Sequence, residues 1–298
     1  MHKLSISHLQ TVVSISESDG NITNAAHKLN LSQSALSHRL NEAEARLGLL
    51  LFERRNKKLT LSKAGKVLVT SAQSILKQLQ NTELDIERMM DGIDQVLRIS
   101  TSSFNCYHWF PKVLKSFNKS HPEVDIEIVA DASLDPLKAL KDGTIDLAIT
   151  HLKPNNINFN VVELFEDEMV AIIPANHSLK DKSFLINEDF ENHAFITNAT
   201  TPQEGREYDL FFKHSSVQPK KILCAGHTEV IVDLVKEELG ISILTRWVMK
   251  RFKLQRKIIE KQLTEKGIFI QWYAVIRKND PSESKVYQFQ KKLEKLKL

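Results

Sequence analysis

The sequence predicts an α/β protein in three parts: an N-terminal winged helix-turn-helix, a long linker helix, and a C-terminal domain of two lobes. Three observations carry that reading. Two short helical stretches flank a tight turn at Asn30-Leu31, and the second keeps its polar side chains outward. A double apolar row at seven-residue spacing then runs between Ser62 and Met90. Beyond Asp91-Gly92 apolar strand segments alternate with helical ones, the pattern that builds parallel sheets.

The first helix is expected over Ser5 to Glu17, with Leu9, Val12, Val13 and Ser16 on one side as a buried support. Asn21 or Thr23 caps the next helix, and Thr23 to Leu29 sets Ala25, Ala26 and Leu29 at helical spacing. The Ser32 hydroxyl can accept a backbone N–H two or three residues on, which starts another helix there. In it Ala35, Leu36, Leu40, Ala43 and Leu47 form the apolar stripe. Gln33, Ser34, Ser37, His38 and Arg39 are left on or beside the opposite face. Together with Ser32, these side chains can donate and accept at base edges and phosphates, so the stretch reads as a DNA-reading helix.

Gly48 can adopt the left-handed conformation that ends this helix. Apolar runs at Leu49–Phe52 and Leu59–Leu61 then flank a basic tip, which predicts a hairpin wing. Arg54, Arg55, Lys57 and Lys58 are expected to contact DNA backbone or minor groove; the alternative is a solvated turn. Ser62 caps a helix to about Met90. Leu68, Ile75, Thr82 and Met89 recur along it, with Ala72, Leu79 and Ile86 as the companion row. Dimerisation through Leu68, Ala72, Ile75, Leu79 and Ile86 would remove this stripe from water; packing on the chain's own second domain is the alternative.

These signals divide the chain into a winged helix-turn-helix at 1–61, a linker helix at 62–92 and a last domain at 93–298. The last domain falls into one lobe of about 93–164 with 266–298 and another of about 165–265. Strands are expected at Val96–Ile99, Val124–Val129, Ile145–Thr150, Met169–Pro174, Ala194–Thr197, Ile222–Cys224, Gly240–Leu244 and Ile268–Ile276. Helices are expected at Trp109–Asn118, Leu134–Leu140, Gly205–Phe212 and Glu229–Glu238, from Trp247, and over Ser284–Leu298. Extended segments near Val161–Glu166 and Thr264–Ile268 connect the lobes. In such sheets a ligand binds beyond the carboxyl ends of the strands. The candidates are Ser102, Ser103, Phe104 and Thr150 on one lobe, and Thr197, Asn198, Thr228 and Glu229 on the other. Hydroxyls and N–H groups at a helix start suit a carboxylate, which is consistent with a small anionic, amino-acid-like ligand; sulfate or an aromatic acid would fit almost as well. Arg206 could pair with a carboxylate, though Arg on a helix more often lies at the surface, and Trp109 and Phe110 are expected in the core.

Bulk properties narrow the class. Residues 1–90 hold 12 Lys and Arg against 8 Asp and Glu, and the remainder balances at 29 of each, so the whole excess of +4 sits in the DNA-reading part. There it would release counterions from phosphates. No apolar run approaches the roughly 20 residues that cross a bilayer, and Met1–Ser5 lacks a signal-peptide core, so no membrane partner is expected. With only 2 cysteines, Cys106 and Cys224, the chain suits a reducing cytoplasm. Neither Cys106 with His108 nor Cys224 with His227 completes a catalytic or metal-binding set, so no enzyme activity, metal or cofactor is expected. A solute-binding protein is a remote alternative.

The chain resembles the LysR-type transcriptional regulators over essentially its whole length. The match runs through Ala25-Ala26, Leu29, Ser32–Ser37, Glu44, Leu47-Gly48, Leu51–Arg54 and Leu61–Gly65, with Ala43 where the family usually has Leu. It continues through Phe117, His121-Pro122, Gly143, Asp146-Leu147, Pro174, Asn176-His177, Gly240-Ile241 and Trp247, with departures at Ser100 and Ser178. The resemblance implies an effector domain built like a periplasmic solute-binding protein and dimerisation through the linker helix. The homodimer or homotetramer would act on double-stranded DNA and RNA polymerase. Within the family, Cys106-x-x-Trp109, Asp135-Pro136 and Gly240–Val248 are similar to the homocysteine-responsive activators of methionine biosynthesis. A regulator of another pathway with a different small anionic effector is the main alternative.

Overall fold

A computed structural model of the chain describes residues 2–55, 58–102, 109–198, 203–213, 215–250, 252 and 257–295. Contacts gather the chain into two compact units, Met1–Gln95 with Asp142–Thr144, and Val96–Lys141 with Ile145–Leu298.

The first unit starts with α1 (Ile6–Glu17), α2 (Ile22–Lys28) and α3 (Gln33–Leu47). Each begins at a polar side chain that accepts an otherwise unsatisfied N–H: Ser5 from His8, Asn21 from Asn24, Ser32 from Ala35. Gly48, at φ 75°, closes α3 in the left-handed conformation. Val12, Ile15, Ala25, Ala26, Leu36, Leu40 and Ala43 are buried together between the three helices. Next come β1 (Phe52–Arg55) and β2 (Lys58–Leu61), antiparallel with Phe52 opposite Leu61. Glu44 anchors this wing to α3, because its Oε1 accepts the N–H groups of Leu51 at 2.6 Å and Phe52 at 3.1 Å. The α1–α2 turn holds its other edge: Leu59 N–H donates to Gly20 C=O at 3.3 Å. Ser62 then caps α4 (Lys63–Met89), as expected for the linker helix.

The second unit follows with β3 (Gln95–Thr101), α5 (Phe110–Ser120), β4 (Val124–Ile128), α6 (Pro136–Lys141), β5 (Leu147–Thr150) and β6 (Phe159–Pro174). After these come β7 (Phe184–Leu185), β8 (Ala194–Thr197), β9 (Lys221–Cys224), α7 (Thr228–Lys236), β10 (Ile241–Thr245) and α8 (Arg246–Met249). The chain closes with β11 (Ile258–Leu263), β12 (Ile268–Arg277) and α9 (Lys285–Glu294). The main strand order is β4-β3-β5-β12-β6-β10-β8-β9, with β11 beside β6 and β7 beside β11. Parallel pairing of β3 with β5, and of β8 with β10 and β9 on its two sides, makes the lobes, while β6 and β12 pair antiparallel between them. Leu97, Ile99, Phe110, Phe117, Trp272 and Phe289 fill the first lobe. In the second, β6 alternates between two cores: Met169, Ala171 and Ile173 face Phe190, Phe195 and Phe212, while Val170 and Ile172 face Ile196, Ile231 and Val235.

Four expectations need correction. The helix expected from Leu134 starts at Pro136, after a 3-10 turn over Ala130–Leu134. Pro136 disfavours helical backbone at the residue before it, and Asp135 Oδ1 instead accepts the Lys138 N–H at 3.0 Å. The helix expected at Gly205–Phe212 is one π turn, Tyr208–Phe212, closed by Lys213 N–H on Tyr208 C=O at 2.8 Å. The extended segment at Val161–Glu166 belongs to the continuous β6. Strands β7 and β11 were unforeseen: β7 has 2 residues, and β11 is partly buried along most of its length, so no apolar alternation marks it.

Gly20 sits at φ 73°, and a Cβ there would lie 1.8 Å from the Leu59 carbonyl oxygen. Gly20→Ala therefore combines left-handed strain with a backbone clash. It should destabilise the N-terminal unit by about 3 kcal/mol or more, read as a lowered Tm in thermal unfolding.

Candidate functional site

Two sites emerge, one in each unit. On α3, Ser32, Gln33, Ser34 and His38 are exposed and Ser37 is half-buried. Successive helical residues turn by about 100°, so Gln33, Ser34, Ser37 and His38 share one side, beside the buried row of Leu36, Leu40 and Ala43. Asn41, also exposed, extends that side; its place four residues after Ser37 was the available signal. Arg39 stands apart from this face. The same rotation carries it towards the core flank, where it is half-covered. In the wing Arg54 and Lys58 are exposed. Arg55 pairs with Lys58 in the hairpin, and Lys57 lies outside the described residues.

The apolar row on α4 divides in two. Ala72 is fully buried, and with Leu68 it packs on Leu9 and Val13 of α1. That corrects the expected seam: these two residues cover the outer face of α1, which α2 and α3 leave open. Farther along, Leu79 is half-buried, while Ile75, Ile86 and Met89 are 48%, 57% and 55% exposed.

In the second unit a cleft of about 740 Å³ opens at the strand ends, within the range of small-molecule sites. Ser102, Thr150, Asn198, Thr228 and Glu229 line it, as the strand-end rule predicted. Thr197 does not. Buried behind the wall, its Oγ1 donates to Glu207 Oε1 at 3.0 Å. Ser103, Phe104, Cys106 and His108 lie outside the described residues. Trp109 and Phe110 are core, at 5% and 1% exposure.

Of the two readings for Arg206, its position fits the less favoured one, because it lines the cleft. Its Nε donates to Glu207 Oε2 at 3.2 Å and its Nη1 to Gln203 Oε1 at 3.2 Å, which orients the guanidinium. His151 was missed altogether. It follows Thr150 at the end of β5, where the Ser102 hydroxyl lies 3.1 Å from Nδ1 and the Glu204 carbonyl 3.1 Å from Nε2. That carbonyl can only accept, so Nε2 carries the proton and Nδ1 accepts from Ser102. Gly205, at φ 66°, comes so close that a Cβ would lie 3.0 Å from the ring. Asp135 and Glu204 add negative charge to the rim. At the start of α7, His227 makes no side-chain cap, and residues Gly226 to Glu229 face the cleft. Such a start favours an anion. Among the described residues no cluster of three or more His, Cys, Asp or Glu could hold a metal ion, and no helix is long and apolar enough to cross a membrane.

Comparison with known proteins matches both units. Residues 6–66 match the bacterial regulatory helix-turn-helix proteins of the lysR family, and residues 91–296 match the LysR substrate binding domain. The transcriptional regulator MetR of Haemophilus influenzae is 28% identical over 286 residues, covering 96% of this chain and 92% of that protein. MetR of Escherichia coli K12 is 26% identical over 274 residues, covering 92% and 84%. Among solved structures, the regulatory domain of MetR from N. meningitidis is 26% identical with a TM-score of 0.61, covering 67% of this chain and 92% of that one. Full-length CbnR in complex with its target DNA shares the fold, at a TM-score of 0.70 and 19% identity over 97% and 100% of the two chains.

Burial, and then the nearby Arg206 charge, hold His151 below the ordinary imidazole value of 6.5. The unfolded chain then takes up a proton at higher pH than the folded one, so this contribution to stability is lost as pH falls below that value. His177 shifts in the same direction. His151→Gln should therefore flatten part, not all, of the acid slope of unfolding free energy, measured by denaturant titration between about pH 7 and 5.

Proposed function

The chain belongs to the LysR family of transcriptional regulators, and from that premise we propose that α3 reads duplex DNA while the cleft senses a small anionic metabolite. The observation that carries this is the outward polar side of α3, at a capped helix start within residues 1–90, where all of the excess positive charge lies. Gln33, Ser34, Ser37 and His38 would meet base edges, with Ser32 and the flanking Arg39 at phosphates. Arg54 and Lys58, with Arg55 and Lys57 at the same wing, would hold the backbone or minor groove.

A dimer would pair two such helices on two half-sites. The distal row of α4, with Ile75 and Ile86 exposed and Leu79 half-buried, supports assembly into a homodimer or, by pairing of dimers, a homotetramer. Leu68 and Ala72 serve the chain's own α1 instead. Effector binding would shift the population of assembled states, and with it DNA bending or contact with RNA polymerase, in the cytoplasm. No chemical step and no cofactor enters this scheme.

Homocysteine, in control of methionine biosynthesis, is the effector we favour. It rests on similarity to the MetR regulators and on a cleft offering Arg206 and the α7 start to a carboxylate, with the negative charge of Asp135 and Glu204 at the rim suiting an ammonium group. One observation favours a second reading, a regulator of another pathway with a different anionic effector: about 740 Å³ is generous for so small a molecule.

Gln33→Ala should relax sequence preference by about 1–3 kcal/mol, whereas Lys58→Ala should weaken binding to all duplexes alike and reduce the salt slope by about 1. Fluorescence anisotropy on matched and scrambled duplexes checks both, and equal losses on the two duplexes for Gln33→Ala would contradict its role. In a thermal-shift titration homocysteine should raise Tm while acetylserine and aromatic acids leave it unchanged. The reverse pattern would select the second reading.

A further inference from the structure

The strongest unassigned feature lies at the contact between α1 and α3, away from the reading face. His8, in the first turn of α1, is 3% exposed. Its Nδ1 accepts the Ser5 backbone N–H at 3.1 Å, and the Ser5 hydroxyl lies 3.0 Å away. Ser5 Oγ in turn takes the His8 N–H at 3.4 Å, which completes a capping box with histidine in the place Glu or Gln usually fills. Because Nδ1 accepts, the proton of the neutral ring sits on Nε2. That nitrogen lies 3.3 Å from Glu42 Oε2 on α3. The other Glu42 oxygen takes Arg46 Nη2 at 2.6 Å, and Arg46 Nη1 donates to the Lys3 carbonyl at 3.2 Å. The chain of bonds thus leaves the start of α1, crosses to α3 and returns to residue 3.

The rest of the helix contact is apolar: Val12 and Ile15 against Leu36, Leu40 and Ala43. Apolar packing keeps the helices together but is non-directional and tolerates small rotations. Charge-assisted hydrogen bonds fix direction as well as distance. Hydrogen bonding, first from His8 and then from Arg46, lowers the pKa of the Glu42 carboxyl. We infer that His8 is a positioning residue for DNA reading: through Glu42 it sets the rotation of α3 about its own axis, and hence the direction in which Gln33, Ser34 and Ser37 enter the groove. This rests on α3 being the reading helix.

The test uses the full chain, a consensus duplex that the unmodified protein selects from a random-sequence pool, and a scrambled duplex of equal length. His8→Ala should cut the ratio of consensus to scrambled affinity about tenfold, with scrambled affinity and salt slope unchanged. His8→Gln should restore most of the ratio, since one amide can accept from Ser5 and donate to Glu42. Glu42→Ala should reproduce the loss from a more exposed position, and the double variant should add nothing to it. Equal losses on both duplexes, an unchanged ratio, or additive losses in the double variant would each overturn the role of His8. Failure to select any consensus would overturn the reading of α3 itself, and the role of His8 with it.

Discussion

A helix leaves its first N–H groups without partners inside itself, and the way this chain meets that demand organises both units. In the first unit Ser5, Asn21, Ser32 and Ser62 meet it from the next residue along, so α1 to α4 begin at defined positions. The start of α3 is the consequential one. A hydroxyl at Ser32 ends the turn after α2 and sends Gln33 and Ser34 outward within the same turn of helix. In the second unit the acceptor at α8 comes from far away: Asp167 Oδ1, on β6, takes the Trp247 N–H at 3.0 Å. Burial pushes the pKa of that carboxyl up, while the Trp247 N–H and the Thr245 hydroxyl partly offset the rise. At α7 His227 contributes no cap, and that helix start faces the cleft.

The cleft follows from two strands, β6 and β12, pairing antiparallel between two parallel sets. Their register shifts between Trp272 and Tyr273, the place where β12 passes from pairing with β6 alone to lying between β6 and β5. Polar groups then converge from both sides: Ser102, Thr150 and His151 at the ends of β3 and β5, Asn198 and Arg206 after β8. Glu207 and Gln203 hold Arg206 in a fixed orientation, which lowers the ordering cost of meeting an anion there. His151 joins the two walls with one neutral ring, accepting from one side and donating to the other.

Charge follows the same division of labour. Residues 1–90 carry the excess of Lys and Arg, and the outward side of α3 offers hydrogen-bonding side chains beside them. Sequence-independent attraction and sequence discrimination are thus placed on different residues, which lets each vary without the other. Residues 91–298 balance their charges, and at the cleft Arg206 pairs with Glu207.

Whatever depended on near neighbours was legible in the sequence. Serine and asparagine caps, the Gly48 stop, the apolar stripe of α3, the hairpin and the long α4 are set by interactions spanning a few residues, and they lie where the pattern puts them. Strand ends were legible for the same reason, so five of the cleft residues could be named in advance. Only the tertiary structure decided what requires partners distant along the chain. Leu68 and Ala72 were read as a seam because periodicity shows which side of a helix is apolar, not what covers it; α1, some sixty residues earlier, covers them. Arg206 stays open in the sequence between a carboxylate partner and the surface, because an Arg on a helix more often lies outside and nothing local reveals that Glu204 and Gly205 fold over His151 at the end of β5. His151, Thr197 and the bond from His8 to Glu42 belong to the same class. Each depends on atoms brought within hydrogen-bonding distance by packing between elements, which local chain preferences do not encode.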